Sequence, residues 1–289
     1  MPTEFVFELW AKESFLLPKF TGYVARAIFL HIVKQVEPGV SAKLHEPDVM
    51  KPYSTMPLFF RSRKKDIRGY FLDPNYPCIL KIRLLNDEYA QYVMRYLWKK
   101  SSVMIGRNEL QILSVGVKGE SYEELEDSFR PVEAFRIYFK TPTYLAAMGS
   151  GYYWLFPEPL KIFPNLMRLW NLYSTSKKYG KEEFEEYKKW LTGNLGVTQH
   201  KLETKMAEMG RKKAVGFVGW AAYETRDLES PYYRITQTLA KFAEYSNIGG
   251  NRTGGFGVAK FKPKPNEELG LTDQKLKNPE EFKNSSLNR

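Results

Sequence analysis

Phe5, Phe7 and Leu9 alternate with Glu4, Val6 and Glu8, the period-two pattern of a strand buried on one face. The period then lengthens: a helical stretch runs from about Lys19 to Val36, and Pro38 and Gly39 close it. Leu58 to Arg63 and Gly69 to Leu72 flank a basic, turn-like segment and read as a hairpin. Cys78, Leu80, Ile82 and Leu84 make one apolar strand face, with Lys81 and Arg83 on the other. A helical run from Asp87 to Lys100 and a strand from Leu110 to Val117 complete two strand–helix–strand passes.

The same order recurs downstream. Phe135, Ile137 and Phe139 alternate with Glu133 and Arg136, and helices are predicted over Leu160 to Tyr173 and Lys181 to Leu191. Val215, Phe217, Gly219 and Ala221 mark a further strand, followed by a helix from Tyr232 to Tyr245 and a strand from Phe256 to Phe261. The expected fold class is α+β: tandem ferredoxin-like units, each an antiparallel sheet with helices on one face, as in RNA-recognition modules. The expected domains are 1–118 and 132–262, joined by an acidic linker over 119–131 and followed by a disordered tail over 263–289.

Composition narrows the partners. Among 289 residues, 44 Lys and Arg outweigh 33 Asp and Glu, a formal net charge of +11 that favours a polyanion, nucleic acid before membrane. No apolar run reaches the length of a membrane span, and Met1-Pro2-Thr3-Glu4 lacks the features of a signal peptide, so a cytoplasmic location is expected. The single Cys78 excludes an internal disulfide framework and a cysteine-based zinc site. His31, His45 and His200 are scattered along the chain, so no cofactor is expected and any catalysis should run without metal.

Between the last helix and the last strand lies Gly249-Gly250-Asn251-Arg252-Thr253-Gly254-Gly255-Phe256-Gly257. Glycines admit positive φ, and successive amides in such a loop form a concavity that attracts phosphate. The spacing matches neither a Walker loop nor a dinucleotide fingerprint. Two readings stand at this point: a cradle for a nucleotide or nucleic-acid backbone, and an ordinary tight turn.

Several ordered stretches carry a family likeness: Leu17-Pro18, Leu44-His45-Glu46, Lys51-Pro52-Tyr53, Phe139-Lys-Thr-Pro-Thr143, Phe156-Pro-Glu-Pro159, Gly216-Phe-Val-Gly-Trp220 and the glycine-rich loop. With them the chain resembles the CRISPR-associated RAMP proteins, and within those the repeat-cleaving endoribonucleases of the sixth Cas family, over residues 3 to 261. The resemblance implies metal-independent cutting of CRISPR repeat RNA that leaves a 2′,3′-cyclic phosphate and a 5′-hydroxyl. It implies precursor CRISPR RNA as partner, with an interference complex as a further candidate and a monomer or homodimer as the working state. The competing reading is a noncatalytic RNA-binding RAMP subunit of an interference complex.

That chemistry needs a base for the 2′-OH, an acid for the leaving 5′-oxygen and a cation for the phosphorane charge. His45 can take or give a proton near neutrality, and Lys51 supplies a compact positive charge. Relatives often place a tyrosine in the middle of the first helix; here that count reaches Leu30. His31, on the side shared with Lys34 and Gln35, is the third catalytic candidate, against a reading as a solvated surface histidine; Tyr23 is a weaker substitute. For RNA binding the candidates are Gly249, Gly250, Arg252, Gly254, Gly255 and Gly257 of the loop, with Lys81 and Arg83 on a groove wall. Arg211, Lys212 and Lys213 are further wall candidates, and His200 is read as structural.

Overall fold

In the computed structural model, which describes residues 1–264 except 48, 148, 210 and 211, the alternating patterns become two main antiparallel sheets and two smaller ones. The N-terminal unit runs β1 (Thr3–Ala11), β2 (Leu16–Pro18), α1 (Gly22–Val36), α2 (Pro38–His45), β3 (Tyr53–Thr55), β4 (Ser62–Asp66), β5 (Gly69–Leu72), β6 (Cys78–Leu84), α3 (Ala90–Leu97), β7 (Ser102–Ile105) and β8 (Asn108–Gly119). Its main sheet has the order β3-β6-β1-β8-β7, while β2, β5 and β4 form a small sheet beside it. Phe5, Phe7 and Leu9 pair in register with Ile82, Leu80 and Cys78. That shared face packs on Ala25, Ile28, Phe29, Ile32 and Val33 of α1.

Helix α4 (Tyr122–Asp127) then leads to β9 (Ala134–Thr143), β10 (Leu145–Ala146), β11 (Tyr153–Trp154), α5 (Pro159–Tyr173), α6 (Lys181–Asn194), β12 (Leu195–Met209), β13 (Lys212–Thr225), α7 (Pro231–Ser246) and β14 (Ala259–Lys264). The second sheet has the order β12-β13-β9-β14. In both units the first strand is central: β9 lies between β13 and β14, the strands that flank α7, and β1 lies between β6, which precedes α3, and β8, which follows the β7 edge strand, the ferredoxin-like arrangement. The expected fold class therefore holds for both halves.

Three stretches differ from their sequence reading, each for a local reason. The acidic segment expected as a linker holds α4, whose Ser121–Glu124 capping box starts the helix. Tyr122 and Leu125, three apart, bury one face in the C-terminal core, and the Tyr122 hydroxyl donates to the Leu85 carbonyl at 2.7 Å. Pro38 does end α1, but it also supplies the first turn of a second helix, α2, which His45 closes. Strand β12, a sheet edge with mostly exposed side chains on both faces, shows too little apolar alternation to announce itself. Of the expected tail, 263–264 belong to β14, and 265–289 lie outside the described residues.

The two units meet along a polar seam. Ser54 and Thr55 of β3 donate to the Tyr245 and Thr253 carbonyls at 2.5 and 2.8 Å, and Asn247 donates to the Thr55 carbonyl at 3.0 Å. No helix among the described residues is long and apolar enough to cross a membrane.

Candidate functional site

The corner between α1 and α2 brings together residues far apart in sequence. Arg26, on α1, places Nη2 3.2 Å from His45 Nδ1 at the end of α2. A guanidinium only donates, so Nδ1 accepts, and the neutral ring then carries its proton on Nε2. Lys51 folds back over the same helix end: Nζ donates to the Glu46 carbonyl and, at 3.5 Å, to the Lys43 carbonyl. A cation is favourable there against the helix dipole, and one of the three ammonium protons is left for a ligand. Burial pushes the Lys51 ammonium below the ordinary lysine value; Glu46 opposes this and Arg26 adds to it.

The glycine-rich loop is folded into the seam between the units. Asn247, Gly249, Asn251, Gly255 and Gly257 all take positive φ. A Cβ on Gly257 would lie 1.7 Å from the Ile248 carbonyl oxygen, and one on Gly255 would lie 2.9 Å from Gly22 Cα. Arg252 turns inward, 8% exposed, and donates to the Ser246 carbonyl at 2.8 Å and the Lys51 carbonyl at 3.2 Å. Burial pushes its guanidinium down to about 10, which leaves it charged at neutral pH.

This corrects the expected backbone clamp. Arg252, Gly254, Gly255 and Gly257 are buried, and backbone packing excludes a Cβ at Gly255 and Gly257; Gly249 and Gly250 are half-buried against Tyr144, and Asn251 is exposed. Arg83 is likewise withdrawn from a groove wall. It is buried, donating to Glu4 Oε2 at 2.6 Å and to Asn247 Oδ1 at 3.1 Å. Lys81 shares the same carboxylate at 3.8 Å. Lys213 lies 3.9 Å from Glu208, and Arg211 is outside the described residues.

Arg26, Lys51 and Arg252 line one open cleft of about 750 Å³ with Gly249 and Asn251, and the described lining holds no carboxylate. His45 and His31 share an adjoining, mainly apolar hollow of about 460 Å³ with Leu30 and Ala42. The structure thus joins His45, Lys51 and the loop around one residue the sequence reading missed. Arg26 gave a faint signal: a cation between the apolar positions of α1, one turn from Tyr23. His200 is exposed, its ring edge against Phe156.

A second basic surface lies on the face of the C-terminal sheet turned away from its helices. Tyr138 and Trp220 are paired across its two central strands. The Arg136 guanidinium sits 4.4 Å from the Trp220 ring centroid, and the Lys140 and Lys262 ammonium groups sit 5.0 and 5.9 Å from that of Tyr138.

Two family models match the chain: the CRISPR Cas6 N-terminal domain over residues 1–129 and the CRISPR-associated endoribonuclease Cas6 over 137–259. Among solved structures, the product complex of a Thermus thermophilus Cas6 superposes with a TM-score of 0.74 at 22% identity, covering 91% of this chain and 99% of that one. A second Cas6, in a substrate-mimic complex, gives 0.64 at 20% identity, covering 90% and 99%. A Cas6-related protein from Pyrococcus furiosus gives 0.58 at 13% identity, covering 91% and 99%. At these identities the structures speak for the fold. No curated protein matches the chain.

Proposed function

The chain belongs to the family of CRISPR-associated Cas6 endoribonucleases, and we propose that it cuts CRISPR precursor RNA within its repeats, without metal, to release guide RNAs. The observation that carries the chemistry is the contact of His45 with Arg26, which lines a cation-rich cleft together with Lys51. In the free protein Arg26 occupies the Nδ1 lone pair of His45. A phosphate entering the cleft draws the guanidinium onto its oxygens and frees Nδ1 to take the proton of the attacking 2′-OH. The 2′-oxygen bonds to phosphorus, the bond to the 5′-oxygen breaks, and the Lys51 ammonium protonates that oxygen. The products are a 2′,3′-cyclic phosphate and a 5′-hydroxyl. A lowered lysine pKa suits Lys51 to this step, because the acid is weakened less by the pH mismatch. Arg26 and Arg252 hold fixed positive charge where the phosphorane charge develops.

His31 lines the hollow beyond His45, and in this reading it would meet the nucleotide next to the cut. The RNA backbone beyond the cleft would follow Gly249, Gly250 and Asn251. The Tyr138–Trp220 face, ringed by Arg136, Lys140 and Lys262, is the better candidate for a basic wall than the Lys81–Arg83 strand.

The deciding experiment is cleavage of the cognate repeat in EDTA with both product ends mapped. The wild type is expected to cut at one position, and His45→Ala to cut about 10²- to 10⁴-fold more slowly with near-unchanged binding. Intact RNA under saturating wild-type protein would favour the noncatalytic RNA-binding subunit instead. A His31→Ala variant that keeps the full single-turnover rate would remove His31 from the site.

A further inference from the structure

Tyr152, Tyr153, Trp154, Leu155 and Phe156 are five successive large apolar residues, and all are exposed: 84%, 53%, 41%, 38% and 38%. Soluble chains seldom present so many rings together unless the surface binds something. The strip is not an isolated patch. Tyr153 packs on Tyr144 with ring centroids 4.2 Å apart, and Asn251, which lines the cleft, donates to the Tyr144 hydroxyl at 2.5 Å. Tyr23 of α1, one turn before Arg26, packs against the same cluster as Tyr144. Ring contacts therefore run from the α1 corner through Tyr144 to Tyr153, and the alternation of the chain through β11 turns Tyr152 and Trp154 outward on the face opposite that anchored residue. Lys161 sits 5.6 Å from the Trp154 ring centroid, placing a cation beside the outermost ring.

We propose that Tyr152 and Trp154 form a stacking platform for unpaired nucleobases of the RNA strand leaving the cleft. The inference rests on RNA being the ligand of that cleft. Its grounds are continuity with the cleft, the chemistry of the rings and the charge beside them. Flat aromatic surfaces accept any base by its π face, and the lysine neutralises the phosphate that follows. In this arrangement the cleft sets where the strand is cut, and the platform holds the strand taut by its bases, independently of their sequence.

The test compares two 20-nucleotide probes, a fluorescein-labelled oligouridylate and an abasic ribose-phosphate chain of equal length, on wild type and on a Tyr152→Ala/Trp154→Ala double variant. The wild type is expected to bind the oligouridylate about a hundredfold more tightly than the abasic chain. The double variant should lose most of that preference, about tenfold per ring removed, and bind the abasic chain as the wild type does. Trp154→Phe, which keeps a ring, should restore affinity relative to Trp154→Ala. Equal weakening toward both probes, or unchanged oligouridylate affinity in the double variant, would overturn the platform. So would loss of a sedimenting dimer in that variant without loss of RNA affinity, which would make the strip an interface between copies. If the wild type cuts a repeat yet binds both probes equally, the platform fails alone; if it binds neither RNA nor repeat, the endoribonuclease reading fails with it.

Discussion

The guanidinium of Arg252 donates to the main-chain carbonyl of Lys51 at 3.2 Å, joining residues 201 positions apart. A second bond, to the Ser246 carbonyl at 2.8 Å, anchors the same guanidinium to the end of α7. The C-terminal unit thereby fixes the backbone of the segment that carries an N-terminal catalytic candidate. Arg252→Ala removes two charge-assisted bonds and leaves the buried Ser246 carbonyl and the half-buried Lys51 carbonyl without that partner, so a loss of about 2–4 kcal/mol is expected in denaturant unfolding. Single-turnover cutting should fall as well, because Lys51 loses its support. Arg252→Lys, unable to span both carbonyls, should recover only part of either quantity. An unchanged melting temperature in Arg252→Ala would contradict the inward role.

The Arg26–His45 contact fixes a tautomer. In the free protein the neutral His45 ring should carry its proton on Nε2, because Nδ1 accepts from a group that can only donate. Imidazole ¹⁵N chemical shifts at a pH where the ring is neutral would report this directly. Arg26→Ala is expected to let the Nδ1–H form appear and to slow cutting by about 10²-fold or more, the scale of a lost transition-state donor. A wild-type ring already protonated on Nδ1 would sink the assignment.

The loop glycines illustrate how far sequence reading reached. Phe5, Phe7, Leu9 and the Cys78–Leu84 strand declared their buried faces through period two, and the paired sheets follow from that pattern. His45 and Lys51 were singled out through the family resemblance, and the structure brings both to the end of α2. Arg26 was not, because what distinguishes it is a neighbour 19 positions away across a helix corner, which local spacing does not encode. Five glycines around one arginine fit a phosphate cradle and a packed seam equally well; only the carbonyls around Arg252 decide between them.

Substitutions in the loop should therefore act first on stability. Gly257→Ala forces a Cβ to 1.7 Å from the Ile248 carbonyl oxygen at φ +66, and Gly255→Ala brings one to 2.9 Å from Gly22 Cα at φ +79. Each is expected to lower stability by about 1–3 kcal/mol or more, visible as a drop in melting temperature. Asn251 holds φ +50, a conformation glycine adopts freely, so Asn251→Gly meets no such strain and should alter RNA affinity with a smaller thermal effect. A Gly257→Ala protein that melts like the wild type but binds RNA weakly would restore the direct-clamp reading.

Lys51 gives a pH signature. Its ammonium is held below the ordinary 10.5 by burial, so it loses its proton earlier as pH rises. If it is the acid, the alkaline limb of the single-turnover rate should bend at a pH below that of an ordinary lysine. Lys51→Arg stays protonated throughout and should remove the limb while lowering the plateau rate. A limb that persists unshifted in Lys51→Arg would assign the acid to another group.

Glu4 controls the opposite side of the seam. Burial alone would raise its carboxyl, but Arg83 at 2.6 Å, with Lys81 and Lys118 on the same group, holds it below the ordinary carboxylate value. A depressed folded-state pKa means the contribution is present above the unfolded carboxylate pKa and is lost as pH falls through the folded one. Glu4→Gln keeps the shape and removes the charge, leaving the Arg83 guanidinium buried beside Asn247 without a counter-ion. A loss of about 3–5 kcal/mol at neutral pH is expected, the scale for breaking one side of a buried pair. The difference from wild type should shrink toward low pH, where the wild-type carboxyl is itself protonated. Because Arg83 reaches Asn247, and Asn247 donates to the carbonyls of Thr55 and Arg252, the variant should also loosen the loop behind Lys51. Hydrogen exchange at the amides of 247–257 would detect this, and unchanged protection there would confine Glu4 to the N-terminal sheet.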